Sequence, residues 1–275
     1  MIKLITIDID GTLLTSLRCL PKKNKEMIIK AKKLGCHIAL VSGRPYPAIL
    51  PYVKELGLED KGHFSISQNG SYIFDNYTKK VITGTYQNPK DLILLDESVK
   101  DFKVQVSAMD DYGFYTRHRN PNLVTKFDSH ITKIKLKKRD YEDFDEDKTF
   151  GRFLIMGWPW NIDKLMNNMP KVVSDNFYHV KTAPFLIEVM NPKTNKGHAI
   201  KQMSEKLGFK FSEIMAIGNE LNDIPMLEMA GFSVAVENAN DLLKPHADYI
   251  SLSNNKAGVG LAIEKLIEND FEAFK

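Results

Sequence analysis

Residues 3–14 read KLITIDIDGTLL. An apolar, β-branched run, Leu4-Ile5-Thr6-Ile7, meets two carboxylates, Asp8 and Asp10, then Gly11, and turns apolar again. Such a run suits a strand buried on both faces of a parallel sheet. Both carboxylates then emerge at its C-terminal end, where open α/β sheets hold their ligands. Alternation along a strand places residues two apart on the same side. Two carboxylates that close repel, and one is protonated unless a cation lies between them. Oxygen-only ligands suit a hard cation, Mg²⁺ first. Gly11 permits a tight turn that offers backbone N–H groups to an anion. Carboxylate, metal and N–H cradle together describe a site for phosphoryl transfer. The plainer alternative is an acidic turn, since Asp and Gly form turns readily. The strand before the motif and Thr12-Leu13-Leu14 after it favour the site.

The pattern around this stretch is that of an α/β protein. Strands are expected at 3–9, 37–41 and 64–67, with helices at 22–34 and from Pro45 to about Leu56. Strand, helix, strand, helix, strand implies a parallel sheet with helical crossovers. A hairpin follows at 71–75 and 80–83. From about Pro89 to Pro184 the rhythm changes: helical stretches (90–100, 122–130, 160–169) interleave with strand-like ones (103–108, 112–117, 131–137, 152–157, 177–182). This predicts an inserted α+β domain with an antiparallel sheet. The first rhythm returns with strands at 185–190, 213–217, 232–236 and 249–252 and helices at 195–207, 223–230, 240–243 and 258–267. The expected division is a Rossmann-like parallel-sheet core from 1–84 and 188–275 with an insertion over 85–187.

Composition narrows the classes. The 275 residues are ample for two domains, and 43% apolar content is ample for their cores. With 38 basic and 35 acidic residues, the charge is too balanced to argue for nucleic acid or an anionic membrane. The basic KIKLKKR of 133–139 is offset by the acidic DYEDFDED of 140–147, and both read as solvated surface. Lys3, Asp8 and Asp10 interrupt the N-terminal apolar run, so no signal peptide is expected. No stretch approaches the ~18–20 apolar residues of a membrane span. Cys19 and Cys36 lack metal or CxxC spacing, which suits reduced thiols in a cytoplasmic protein. The seven histidines form no zinc motif.

Four segments in order carry a resemblance: DIDGTLL at 8–14, VSGRP at 41–45, NPKTNKGHAI at 191–200 and IGNELND at 217–223. Together with the single large insertion, they resemble the haloacid dehalogenase-like superfamily of phosphatases, in its Cof-like branch with a type IIB cap. The resemblance implies that Asp8 attacks phosphorus and becomes an aspartyl-phosphate, which splits one hard step into two. It implies that Asp10 protonates the leaving alkoxide and then deprotonates the hydrolytic water, with its backbone carbonyl on Mg²⁺. Ser42 would donate to a phosphoryl oxygen, with Gly43 and Arg44 beside it as substrate contacts together with Gly11. A cation must meet the growing phosphoryl charge. Lys196 fits, since a lysine at a helix N-terminus makes sense if an anion sits between; Lys193 is the competing candidate, and the resemblance favours Lys196 because Lys-Gly entering the helix matches the family pattern. In the fourth segment the usual form is GDxxND, and this chain has Asn219 in place of the first Asp. Asn219 and Asp223 remain as metal ligands beside Asp8 and Asp10, with weaker metal affinity expected. Asn222 would hold either Asp223 or the substrate phosphate.

The insertion would close over substrate and choose the leaving group. Candidates there are Arg117, His118 and Arg119 in YGFYTRHR (112–119), and Trp158 and Trp160 in GWPW (157–160), each equally explained as packing or surface. Asn69 is a further candidate in a core loop. The resulting expectation is an Mg²⁺-dependent phosphatase of small phosphorylated metabolites such as sugar phosphates, monomeric or homodimeric, with no nucleic-acid or membrane partner. A sugar phosphomutase and a non-catalytic phospho-ligand binder are the alternatives.

Overall fold

The computed structural model describes residues 1–126 and 135–274, which form two compact units. One comprises Met1–Gly84 with Asn195–Lys275, the other Thr85–Thr194.

In chain order the strands are β1 (Leu4–Asp8), β2 (His37–Val41), β3 (Phe64–Ser67), β4 (Tyr72–Asp75), β5 (Lys80–Gly84), β6 (Gln105–Met109), β7 (Phe114–Thr116), β8 (Leu136–Lys138), β9 (Arg152–Met156), β10 (Tyr178–Ala183), β11 (Leu186–Met190), β12 (Ile214–Gly218), β13 (Phe232–Val236) and β14 (Tyr249–Ser251). The principal helices are α1 (Lys22–Lys33), α2 (Tyr46–Glu55), α3 (Pro89–Val99), α4 (Pro159–Asn167), α5 (Lys171–Asn176), α6 (Lys196–Leu207), α7 (Ile224–Met229) and α8 (Gly258–Glu268).

The first unit holds an eight-stranded sheet in the order β14-β13-β12-β1-β2-β3-β4-β5. The strands from β14 to β3 are parallel, and the β4–β5 hairpin extends the sheet antiparallel. Every residue of β1 is buried. Ile5 and Ile7 pack into a cluster with Ile28 and Ala31 of α1, Ile49 and Val53 of α2, and Ile263 and Leu266 of α8. Leu4 faces the opposite cluster with Ala199, Ile200 and Met203 of α6 and Met226 and Leu227 of α7. A strand that is apolar on both faces can sit only inside such a sandwich. The chain leaves β1 toward β2 on one side and returns to β12 on the other. The switch point of the sheet therefore lies at β1, and its carboxyl end is where ligands of such sheets bind.

A buried histidine in this unit carries a stability prediction. His63 Nδ1 accepts a hydrogen bond from the Ile38 N–H at 3.1 Å, which requires that nitrogen to be unprotonated. Burial first, then the positive field of Lys32, lowers its pKa to about 4. The folded value lies below the unfolded one, so the stabilisation is full above about pH 6.5 and is lost as pH falls through 4. Allowing for partial solvent screening, we expect about 2 kcal/mol. Urea unfolding of the wild type should weaken between pH 6.5 and 4. In His63→Gln this part of the decline should vanish; an unchanged pH profile in the variant would refute the assignment.

The second unit is α+β. Its six-stranded sheet runs β10-β11-β9-β6-β7-β8 and is antiparallel except for the β7–β8 pair. Leu92, Leu95 and Val99 of α3, Ile162 and Leu165 of α4 and Val173 of α5 cover one face. The segment expected to reopen the first sheet, 185–190, is instead β11, paired to β9 and β10. The second unit thus extends to Thr194 and not 187. A short apolar strand does not announce which sheet it will join. Tyr141 and Phe144, read as part of a solvated charged run, are buried in this unit, with the Tyr141 hydroxyl donating to the Val106 carbonyl at 2.7 Å. The helix expected over 240–243 is a turn, in which Asn240 Oδ1 accepts the Leu242 N–H at 3.0 Å and so competes with helix formation. Helix α5 was not expected. The helix and strand expected over 122–130 and 131–137 run into residues 127–134, outside the described residues. Among the described residues, no helix is long and apolar enough to cross a membrane.

Candidate active site

The site is built from the carboxyl ends of β1, β2 and β12 and the amino end of α6. Strand β1 ends at Asp8, which pairs in register with Val41, so Ser42 follows at the same level. Beyond Asp8 the chain makes one wide turn closed by the Leu14 N–H on the Ile9 carbonyl at 3.1 Å. Gly11 has φ +78, and a Cβ there would lie 2.7 Å from the Asn219 amide. Conformation and space both require glycine.

Because the strand ends at Asp8, the strand alternation does not extend to Asp10, and the two carboxylates part. Asp8 is buried, whereas the Asp10 side chain is half exposed and gripped by Arg44. Arg44 Nε donates to Asp10 Oδ2 at 2.7 Å and Nη2 to Oδ1. Arg44 Nη1 also donates to the Tyr52 hydroxyl at 3.2 Å. The first expectation, a pair of facing carboxylates, is corrected accordingly: what Asp10 turns inward is its main-chain carbonyl.

Lys196 is the buried cation of the site, 1% exposed, while Lys193 is exposed. Its Nζ donates to Asp8 Oδ1 at 2.6 Å and to Asp223 Oδ1. Burial opposes the charged ammonium, but Asp8 and Asp223 outweigh it and the pKa of Lys196 rises. Burial also pushes Asp8 up, to about 7, aided by Asp223 and opposed by Lys196 and Thr12. Asp223 Oδ2 accepts the N–H groups of Asn219 and Glu220 at 2.9 and 3.0 Å, so both its oxygens are engaged, and Asp223, expected among the metal ligands, instead anchors Lys196 and the loop after β12. Gly197 lets α6 and α7 approach: a Cβ there would lie 2.1 Å from the Pro225 carbonyl oxygen.

Asn219 is buried over Gly11. One terminal atom of its amide sits 2.7 Å from Thr12 Oγ1, 3.2 Å from Asp8 Oδ2 and 3.0 Å from the Asp10 carbonyl oxygen. With the nitrogen in this position, both ends of the amide find complementary partners. Among the described residues, no three acidic, histidine or cysteine side chains gather as a metal cluster. The set here is one carboxylate oxygen, one main-chain carbonyl and one amide. With the amide oxygen turned inward these are three converging hard donors, which fit Mg²⁺.

Ser42 is buried, and its Oγ accepts the Arg44 N–H at 3.1 Å. Asn222, expected to hold Asp223 or the substrate phosphate, is exposed, and its Nδ2 donates instead to Asn69 Oδ1 at 3.0 Å. A Cβ on Gly43 would lie 3.2 Å from that same Asn69 oxygen, so Gly43 makes room for it. Thr12, Tyr52 and Asn238, whose Nδ2 donates to the Gly11 carbonyl at 2.9 Å, were not singled out in the sequence. Only the run from Asp8 through Thr12 hinted at any of them. In the second unit Arg117 is tied to Asp96 at 3.1 Å and to Glu142, and lies over the Tyr141 ring. Trp158 and Trp160 stack on one another at 5.3 Å and are exposed.

The sequence and this geometry have close counterparts. A family model described as haloacid dehalogenase-like hydrolase matches residues 5–263. The chain belongs to this family. YxeH of Bacillus subtilis, provisionally named a phosphatase, is 31% identical over 97% of this chain and 99% of its own length. YcsE of the same organism, named a 5-amino-6-(5-phospho-D-ribitylamino)uracil phosphatase, is 30% identical over 95% of this chain and 94% of its own. A haloacid dehalogenase-like hydrolase from Bacteroides thetaiotaomicron superposes with a TM-score of 0.82 at 26% identity, covering 97% of this chain and all of that one. The α/β core with an inserted α+β unit of the type IIB cap class is therefore the family's architecture.

Proposed function

We propose that this hydrolase is an Mg²⁺-dependent phosphatase of small phosphorylated metabolites, acting through an aspartyl-phosphate on Asp8. The observation that carries the reading is the buried Lys196 ammonium, held between Asp8 and Asp223 at the switch point of the sheet. Asp8 attacks phosphorus, and the ester P–O bond breaks toward the leaving alkoxide, which takes a proton from Asp10. Water then attacks the acyl phosphate, Asp10 accepts its proton, and phosphate departs to regenerate the Asp8 carboxylate. Both Asp10 oxygens are engaged by Arg44, so this exchange of protons requires the guanidinium fork to open. An arriving phosphate ester offers Arg44 an alternative anion. Lys196 neutralises Asp8 for its approach to an anion and faces the charge that grows on the phosphoryl oxygens. Ser42 holds a phosphoryl oxygen at the end of β2. Asp8, the Asp10 carbonyl and Asn219 would hold Mg²⁺, which would supply Lewis-acid charge stabilisation at the phosphoryl group. The phosphorylated ribityl substrate in the name of YcsE supports sugar phosphates and their relatives as the substrate class.

The test is phosphate release from a panel of sugar phosphates, nucleotides and phosphorylated cofactors with Mg²⁺ titrated. We expect turnover of several sugar phosphates that rises with Mg²⁺ and is abolished by EDTA. No release from any ester at any Mg²⁺ concentration would reject the proposal.

A further inference from the structure

We propose that the Asn219 side chain is a two-position element: without a divalent cation its amide nitrogen bridges the oxygens that would hold one, and with a cation the amide turns over to present its oxygen. The inference rests on the metal-dependent reading above and concerns how this chain manages the cation.

The atom of Asn219 that points into the site faces Thr12 Oγ1, Asp8 Oδ2 and the Asp10 carbonyl within 3.2 Å. Asp8 Oδ2, when ionised, and a carbonyl can only accept hydrogen bonds. An amide oxygen in that place would meet two acceptors with nothing positive between them. An amide nitrogen satisfies them instead, and its swapped oxygen meets donors. The cation-free state is therefore the nitrogen-inward one. Once a divalent ion lies among these groups the preference reverses, because a hard cation takes oxygen and not N–H.

Two features make the reversal easy. The rotation exchanges groups of nearly equal size. Thr12 carries a hydroxyl, both donor and acceptor, so at the same 2.7 Å separation it can accept from the nitrogen in one state and donate to the oxygen in the other. Glycine at position 11 removes the Cβ that would press on the amide.

The charges explain what the amide achieves. Asp8, Asp223 and Lys196 together carry one net negative charge when ionised. An aspartate at 219 would add a second and would face Asp8 Oδ2 and the Asp10 carbonyl with acceptors alone. That variant would need the cation to be comfortable. Asparagine gives a site that is satisfied without one and holds Mg²⁺ more weakly, so its occupancy follows the free Mg²⁺ concentration.

Two measurements test this. In ¹⁵N-labelled protein the Asn219 side-chain amide pair, assigned through its own backbone, should shift on titration from EDTA into Mg²⁺, with one midpoint shared by the Mg²⁺-dependent rise in Tm. In Asn219→Asp, Mn²⁺ binding measured by electron paramagnetic resonance should tighten on the order of tenfold. The variant's Tm in EDTA should fall below the wild type and recover on adding Mg²⁺. An Asn219 amide pair that stays in place at saturating Mg²⁺ would overturn the inference, as would a variant that binds Mn²⁺ no more tightly. Intact metal responses in proteins that hydrolyse no phosphate ester would support the inference and reject the phosphatase reading instead.

Discussion

Asp8→Asn should lower phosphate release by about 10⁴-fold or more, since the amide cannot form the acyl phosphate. The fold should survive. The amide matches the carboxylate in size, and its oxygen can still accept from Lys196 Nζ, which lies 2.6 Å from Asp8 Oδ1. Comparable Tm values with activity lost would place the defect in the chemistry. Wild-type protein quenched during turnover should carry a labile acyl phosphate that the variant lacks. A variant that keeps more than about one hundredth of the activity would show that the phosphoryl group is transferred elsewhere. The same carboxylate should set the pH profile. Burial and Asp223 raise its pKa to about 7, so kcat/KM should fall as pH drops below 7 and the nucleophile becomes protonated. Raising Mg²⁺ should move this limb to lower pH, because nearby positive charge favours the ionised form.

Lys196→Met should damage both stability and activity. The ammonium is almost fully buried, and it is the shared ion-pair partner of two buried carboxylates. Removing one member of such a set leaves uncompensated charge and costs about 3–5 kcal/mol. For a unit of this size that is roughly 6–20 °C in Tm. The sign of the pH dependence is fixed by Asp8. Its folded pKa already lies above the unfolded value and rises further without Lys196, so the carboxylate destabilises the fold once it must ionise. The loss should be largest above pH 7 and shrink toward pH 5, where Asp8 is protonated. Loss of a preorganised positive donor should also lower kcat by about 10²–10³-fold. A Tm deficit that is equal at pH 5 and pH 8 would argue that methionine merely packs badly. Full activity in the variant would remove Lys196 from the catalytic set.

The sequence carried the features that are local. A β-branched run ending in Asp8, a glycine three residues later and helix starts after 195 and 223 each depend on neighbours a few positions away. So the parallel core, the place of Asp8 at a strand end and the lysine at a helix start were all legible. The family likeness then linked them, and the full-length match to haloacid dehalogenase-like hydrolases agrees with it. What the sequence left open depended on partners far apart along the chain. Lys196 meets Asp8 across 188 positions, and Thr12 meets Asn219 across 207. Strand β11 could be recognised as a strand, but only pairing with β9 and β10 assigned it to the second sheet. Asp10 could be seen to follow Asp8 by two residues. That its side chain turns to Arg44 while its carbonyl turns inward follows from where β1 stops and how Gly11 bends the chain. Local propensity names an element and its ends; direction, partner and protonation state are set by whatever the completed fold brings alongside.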